Sequence, residues 1–203
     1  MCGEAWGRDG HGRKCCAGPG GWHAGDVSTL TVAVVQVAVV PEHRDLFELE
    51  PPGPVEMASR IEKVISGFPW LVAEEGDVVV GYAYAAALKD RPAYRWSVET
   101  TVYIDAGHRG HGVGRILYTA LIDVATMWGF ANAFAGIALP NPASESLHRS
   151  VGFSQVGVFP RAGHKMGEWH DVGWWHRPLS PAHPPVAPAP PPPELVAGAL
   201  SSR

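Results

Sequence analysis

Cysteine is scarce in this chain and badly placed for structural work. Its three cysteines, Cys2, Cys15 and Cys16, all precede residue 17, and the rest of the sequence has none. That excludes a disulfide framework, supplies no paired C-x-x-C pattern for zinc, and fits a reducing compartment, the cytoplasm. An excess of basic charge is also missing: Lys and Arg number 16 against 20 Asp and Glu, for a net charge of −4. Nucleic-acid binding rests on Lys/Arg neutralisation of phosphates, so no nucleic-acid partner is expected. Long apolar runs are absent too. The longest, Val27 to Val40, is broken by Ser28, Thr29, Thr31 and Gln36. It falls short of the about 20 apolar residues that span a bilayer, and as a signal segment it would carry a long leader and no small-residue cleavage pattern. No membrane partner is expected.

What is present suits one ordinary domain with tails: 203 residues, 46% of them hydrophobic, with no internal repeat. Composition divides the chain at about residues 46 and 178. Residues 1–26 are dense in Gly, Cys, His and Arg without apolar period and read as disordered. Thr31 to Val40 is Val-rich and favours a strand. Residues 178–203 hold nine prolines between Pro178 and Pro193 and read as an extended, solvated tail, disordered over 179–203. The folded domain is expected over 47–178.

Within it, Pro54 to Ser66 is helix-like, with Val55, Ala58, Ile61 and Ile65 on one face. Leu71 to Glu75 and Val78 to Tyr84 flank Gly76-Asp77 as a hairpin. Tyr94 to Ile104 is rich in β-branched and aromatic residues and reads as a strand. Next comes Arg109-Gly110-His111-Gly112-Val113-Gly114-Arg115, and then a helix marked by Val113, Leu117, Ala120, Leu121, Val124 and Trp128, with Gly129 as its stop. Ala133 to Leu139 is a buried strand, and Asn141-Pro142 opens a second helix holding Leu147, His148 and Val151, closed by Gly152-Phe153. Ser154 to Arg161 and Asp171 to Arg177 complete the sheet.

The glycine run is the most informative motif. Three glycines remove side chains where a backbone must approach something bulky, and the helix that follows begins with unpaired N–H groups and the positive end of its dipole. Together these form an anion site, most naturally for a pyrophosphate. The spacing is not that of the dinucleotide fingerprint, and Ala133 to Leu139 lacks the acidic residue that fingerprint requires.

Strand, R-x-x-G-x-G, helix, strand, Asn, helix, Gly-Phe: this order resembles the GCN5-related N-acetyltransferases (GNAT). Phe68-Pro69-Trp70-Leu71-Val72-Ala73-Glu74, Trp96-Ser97-Val98-Glu99-Thr100-Thr101-Val102-Tyr103, Leu139-Pro140-Asn141 and Gly167-Glu168-Trp169-His170-Asp171-Val172-Gly173 are similar to the phosphinothricin N-acetyltransferase branch. The resemblance runs from about Phe47 to about Pro178. It implies an α/β (α+β) fold with a mixed, mostly antiparallel twisted sheet flanked by helices, acetyl-CoA as cosubstrate, no metal, and a homodimer. Residues 1–46 do not resemble the family's opening strand and helix, which leaves two readings: a divergent N-terminus, or a stretch from a shifted reading frame or a wrong start.

Arg109, Gly110, His111, Gly112, Val113, Gly114 and Arg115 are then expected to hold the acetyl-CoA pyrophosphate through backbone amides, with Gly112 and Gly114 allowing close approach and the arginines adding charge-assisted bonds. The resemblance puts the backbone of Val102, Tyr103 and Ile104 against the pantetheine arm, as an added strand. Glu99, mid-strand among apolar residues, is the expected general base: an ammonium group must lose a proton before it attacks a thioester. Its alternative is an ion pair with Arg95 or Arg91. His148 is expected beside the departing sulfur, protonating or hydrogen-bonding it; a surface histidine is the alternative. Asn141 is expected to bond the pantetheine or a water network, and suits a helix N-cap equally. For the acceptor, Lys89, Arg91, Tyr94, Arg95 and Trp96 supply cations and an apolar wall, with Arg161, His164 and Lys165 on the other side. Trp169, His170, Trp174, Trp175 and His176 are expected in core and dimer packing rather than around a metal.

The expected activity is direct transfer of acetyl to the α-amino group of a small amino-acid-like acceptor of phosphinothricin, methionine sulfoximine or methionine sulfone type. An acetyltransferase for another amine (a peptide N-terminus, a polyamine) and an inactive acyl-CoA-binding module are the alternatives.

Overall fold

The computed structural model describes residues 30–34, 52–180 and 186–201. Seven strands form one sheet: β1 (Leu30–Val34), β2 (Trp70–Glu75), β3 (Val78–Ala87), β4 (Ser97–Ile104), β5 (Asn132–Ala138), β6 (Ser154–Lys165) and β7 (Glu168–Pro178), in the order β1-β2-β3-β4-β5-β7-β6. Every neighbouring pair is antiparallel except β4 and β5. The helix between those two, α2 (Val113–Met127), makes the crossover that a parallel pair requires. Helices α1 (Pro54–Ile65), α3 (Pro142–Ser150) and α4 (Pro193–Ser201) complete the fold. The expected mixed, mostly antiparallel sheet with flanking helices is what the chain forms.

The sheet separates two apolar clusters. On one face, Leu117, Tyr118, Leu121 and Val124 of α2 meet Leu71, Ala83, Val98, Ala135 and Trp175. On the other, Met57 and Ile61 of α1 cover Trp70, Val72 and Tyr82. The buried stripe of α1 is therefore Met57 and Ile61, one helical turn apart. Val55, expected on that stripe, is 86% exposed because it stands in the first turn, on the outer side.

Side chains alternate across a strand, and that parity organises β4. Val98, Thr100, Val102 and Ile104 turn to the α2 face. Glu99, Thr101 and Tyr103 turn to the α1 face, where the Tyr103 ring packs, tilted by 40°, against Tyr82 at 4.8 Å.

Two expectations about the ends change. Within the segment set apart as 1–46, Leu30–Val34 pairs with β2 from Leu30↔Glu75 to Val34↔Leu71, so the sheet reaches back beyond residue 47; residues 1–29 and 35–46 lie outside the described residues. The tail expected to be solvated folds back instead. Trp96 Nε1 donates to the Val186 carbonyl at 3.0 Å, and Ala189 N–H donates to the Trp128 carbonyl at 2.9 Å. Beyond them Pro193 occupies the first position of α4, where its missing N–H costs nothing. Leu195-Val196-Ala197 then continues as helix, and Val196, 8% exposed, joins the core. The prolines extend only the approach to this helix.

No helix among the described residues is long and apolar enough to cross a membrane.

Candidate active site

The β4–β5 ladder is short. It pairs Ser97↔Asn132, Val98↔Ala133 and Glu99↔Phe134 and stops there, although β4 runs on to Ile104 and β5 to Ala138. Beyond Glu99 the strands part while each keeps its other neighbour: β4 pairs β3 to Gly81↔Ile104, and β5 pairs β7 to Ala138↔Val172. Parting leaves a backbone edge inside the sheet, which a bound extended chain can complete.

Which groups face that opening follows from the β3 side. Asp105 N–H bonds the Val80 carbonyl, and Leu88 N–H bonds the Ser97 carbonyl. The backbone of odd-numbered residues on β4 is therefore turned to β3, and that of Val102 and Ile104 to the opening. Arg109 Nε occupies the Ile104 carbonyl at 3.1 Å. Both Val102 backbone groups and the Ile104 N–H remain on the open edge. Tyr103, expected to offer its backbone with these two, instead directs it to β3 and its ring into the aromatic cluster; it reaches the cleft as a side chain.

The opening widens into a cleft of about 760 Å³. At one end lies the glycine turn. Gly112 caps α2 in the left-handed conformation, φ +87°, with no atom within 4 Å of a Cβ placed there. A residue with a side chain adopts that backbone only at a cost. The turn leaves the backbone N–H groups of residues 110–114 without partners among the described residues, since the first intrahelical bonds come from Arg115 and Ile116 to the Gly112 carbonyl. Gly114 has a different reason to be glycine. A Cβ there would stand 3.3 Å from both Ile104 Cγ1 and Leu147 Cδ2, so its role is close packing of α2 against β4 and α3. Val113 is buried and His111 is exposed and outside the cleft lining, so their side chains do not enter it.

Glu99 lines the cleft on the α1 face with Tyr84, Thr101 and Tyr103. Its carboxylate has no hydrogen bond and no ion pair within 4 Å among the described residues. Burial pushes its carboxyl above the ordinary value of 4.5, and the Lys89 ammonium partly offsets this. The ion pair with Arg95 does not form: Arg95 Nε bonds the Pro92 carbonyl and the guanidinium lies over the Trp96 ring.

On α3, Asn141 is the N-cap, its Oδ1 accepting from Ser144 N–H at 3.1 Å. The cap occupies the oxygen only; the side chain still lines the cleft. His148 is buried, 4% exposed, edge-on to Tyr118 at 5.0 Å. Its Nδ1 lies 2.7 Å from the Ser144 carbonyl. A carbonyl only accepts, so Nδ1 carries the proton and Nε2 keeps a lone pair. Burial lowers the pKa of this histidine below 6.5, with the Ser144 bond acting the other way. A surface histidine it is not.

The residues expected to bind the acceptor are not brought into the cleft. Arg91, Tyr94 and Arg95 surround a 3-10 turn (Pro92–Tyr94) on the exposed β3–β4 connection. Trp96 stands in the turn just before β4, and its indole N–H donates to the Val186 carbonyl. Arg161 lies over Trp169, on the β6–β7 hairpin. The aromatic and histidine cluster divides: Trp175 enters the core, His176 stacks on Phe134 at 4.7 Å and contacts Asn132 Oδ1, and Trp169 is exposed. No group of three His, Cys, Asp or Glu side chains able to hold a metal occurs among the described residues. Sequence reasoning missed Tyr84, Thr101 and Gly136 in the cleft; counting by twos from Glu99, and across the β3 register, finds the first two.

Comparison with known proteins bears on the family and the fold. Residues 51–174 match the family described as acetyltransferase (GNAT) domain. The chain is 43% identical over 139 residues to a phosphinothricin N-acetyltransferase of Streptomyces viridochromogenes, a span covering 68% of this chain and 76% of that protein. It is 42% identical over 106 residues to an L-methionine sulfoximine/L-methionine sulfone acetyltransferase of Salmonella typhimurium, covering 52% of this chain and 62% of that one. A GNAT superfamily phosphinothricin acetyltransferase from Sinorhizobium meliloti, solved with AcCoA, superposes with a TM-score of 0.69 at 33% identity, covering 79% of this chain and 94% of that chain.

Proposed function

The chain belongs to the GNAT acetyltransferase family, and from that premise we propose that it transfers acetyl from acetyl-CoA to the α-amino group of a small amino-acid-like acceptor, of the phosphinothricin or methionine sulfoximine and sulfone class. The observation that carries this reading is the parting of β4 from β5 directly after Glu99, in the same cleft as a turn whose five N–H groups have no partner among the described residues.

The residues fit the cosubstrate. Backbone N–H groups of Gly110 to Gly114 suit its pyrophosphate, with Arg109 and Arg115 at the cleft edge adding charge. The open edge of Val102 and Ile104 suits its amide-bearing arm, and Asn141 supplies a side-chain amide. Acetyl-CoA supplies an activated acetyl thioester. Glu99 takes the proton from the acceptor ammonium, directly or through a water, and its raised pKa brings it closer to that of the amine. N–H groups on the open stretch of β4 hydrogen-bond the carbonyl oxygen as its charge grows. The amine nitrogen bonds to the acetyl carbon and the C–S bond breaks, releasing the CoA thiolate, which takes its proton from solvent. His148, neutral with Nε2 unprotonated, is an acceptor there: it neither protonates nor donates to the leaving sulfur, and it can accept from the CoA thiol once that sulfur is protonated. Tyr84, Thr101 and Tyr103 wall the acceptor side, and the Lys89 ammonium acts on the base.

A homodimer is part of the same reading. Val156, Val158 and Phe159 on the edge strand β6 are 58%, 44% and 56% exposed, an apolar edge that a second copy would cover. The proposed location is the cytoplasm, where acetyl-CoA is supplied.

The test is turnover with acetyl-CoA and a panel of amines: phosphinothricin, methionine sulfoximine, a peptide N-terminus and a polyamine, each with wild type and Glu99→Gln. Expected are acetylation of the first two and a loss of about 10² or more in kcat in the variant. Activity on peptide alone, or full kcat in the variant, overturns the acceptor class or the base.

A further inference from the structure

At the fork itself stands a buried pair of hydroxyls. Thr100, 4% exposed, is the first residue of β4 beyond the last paired register, Glu99↔Phe134. Its Oγ1 lies 3.0 Å from the Phe134 carbonyl and 2.7 Å from the Tyr118 hydroxyl. The carbonyl can only accept, so the single Thr100 proton goes to Phe134, and Tyr118 must then donate to Thr100. The direction is fixed: Tyr118 O–H to Thr100 Oγ1, Thr100 O–H to Phe134 O. This ties three elements together at one point, since Thr100 is on β4, Phe134 on β5 and Tyr118 on α2, the helix that begins at the glycine turn.

Tyr118 is itself immobilised. Its ring stacks on Phe153 at 5.4 Å and meets the edge of His148 at 5.0 Å. A buried chain of this kind has no water to fall back on, so each member is held by the others.

We infer that Thr100 and Tyr118 are positioning residues that pin the fork between β4 and β5, and so set where an acyl-CoA lies relative to Glu99. The inference rests on the functional reading above. Glu99 is the neighbour of the pinned residue, and the open edge begins two residues further on, at Val102. A fork that opened earlier, or moved between positions, would shift the acyl carbon along the strand relative to the base. Displacements of about 1 Å cost on the order of 10²-fold in rate.

Thr100→Val keeps the shape of the side chain and removes both hydroxyl bonds; Thr100→Ser keeps the hydroxyl. Tyr118→Phe removes only the donor and leaves the Thr100–Phe134 bond. Val124→Ala, in the core of α2 away from the cleft, serves as the stability control. The experiment measures kcat, KM for acetyl-CoA, the calorimetric Kd for CoA and Tm on full-length protein. Expected for Thr100→Val is a roughly ten-fold or greater loss in kcat/KM with weakened CoA binding. Thr100→Ser should restore most of it, Tyr118→Phe should fall between, and Val124→Ala should lose Tm with near wild-type kcat, KM and Kd. If Thr100→Val fails to fold, Tyr118→Phe against Val124→Ala decides. Thr100→Val or Tyr118→Phe losing Tm while keeping wild-type kcat, KM and Kd overturns the inference. Wild-type protein that neither binds CoA nor turns over would overturn the functional reading beneath it, and this inference with it.

Discussion

The Glu99 carboxylate lies across the parted strands from Gly136, its Oε1 3.8 Å from the point where a Cβ on that glycine would stand. The other atoms nearest that point are Val172 Cγ1 at 3.4 Å and Trp174 Cη2 at 3.8 Å. A single methyl therefore fits in ordinary contact, and anything larger reaches the carboxylate. Gly136→Ala is expected to fold and to keep kcat/KM within a few-fold. Gly136→Val should lower kcat/KM for the amine by about ten-fold or more, the scale of one or two misplaced methyl groups in a pocket. Steady-state kinetics with the amine varied checks this; a Val variant with unchanged KM and kcat would mean that the acceptor does not pass this point.

Glu99 also makes a prediction in which activity and stability move in opposite directions. Its folded pKa is raised, chiefly by burial. Stability from such a group is complete below its ordinary value, near 4.5, and is lost as pH rises through the raised folded value. At neutral pH the ionised side chain therefore costs stability. Glu99→Gln should raise Tm at pH 7 while removing activity, with the gap in Tm closing toward about pH 4. The same shift sets the acid limb of kcat/KM in the wild type, which should fall at higher pH than an ordinary carboxylate would cause. A Gln variant that melts below wild type at pH 7 would show the charge to be compensated.

Much of this was legible from local chemistry. The glycine turn, the helix stops at Gly129 and Gly152, and the strand at Ala133 to Leu139 are fixed by residues within a few positions of each other, and they form where the sequence puts them. The acceptor side was not legible, for two reasons. Lys89 to Trp96 are consecutive and chemically suited, but Arg91, Tyr94 and Arg95 are carried by a 3-10 turn on the exposed β3–β4 connection, and the Trp96 indole is taken by Val186. The pinning hydroxyls come from β4 and α2, eighteen positions apart, and their contact depends on how the helix packs. Proline density misled at the C-terminus for a related reason: composition describes the approach to α4, and the burial of Val196 decides where it ends.

His148 should be silent in catalysis as an acid and visible in stability. With Nδ1 donating to Ser144 and its pKa below 6.5, it is neutral through the working range. A required proton donor would make kcat fall as pH rises through its pKa; here kcat should show no such fall between about pH 6.5 and 8. Because the folded pKa is lowered, the stability it contributes is present above the ordinary value and is lost as pH falls through the folded one. His148→Gln should therefore flatten the decline of Tm below about pH 6.5. A fall in kcat across the neutral range that disappears in His148→Gln would restore the acid role.

The C-terminal strap offers a test that separates fold from site. Val196 is buried in the cluster beneath α2, and the approach to it is held by the Trp96 indole at Val186 and by the Trp128 carbonyl at Ala189. These anchors lie at the C-terminal end of α2, whereas the glycine turn lies at its N-terminal end. Burying a valine contributes about 1.5–3 kcal/mol, and a carboxylate in its place would have no partner to offset desolvation. Val196→Asp should therefore expel α4 and lower Tm by several degrees, about 2–4 °C for each kcal/mol in a chain of this size. KM for acetyl-CoA and for the amine should stay at the wild-type value at temperatures where the variant is folded, because no strap residue among the described ones lines the cleft. Trp96→Phe, which removes the indole N–H and keeps the ring, should show a smaller loss of Tm in the same direction. If Val196→Asp instead raised KM for acetyl-CoA at constant Tm, the strap would belong to the cosubstrate site and α2 would be transmitting its position from one end to the other.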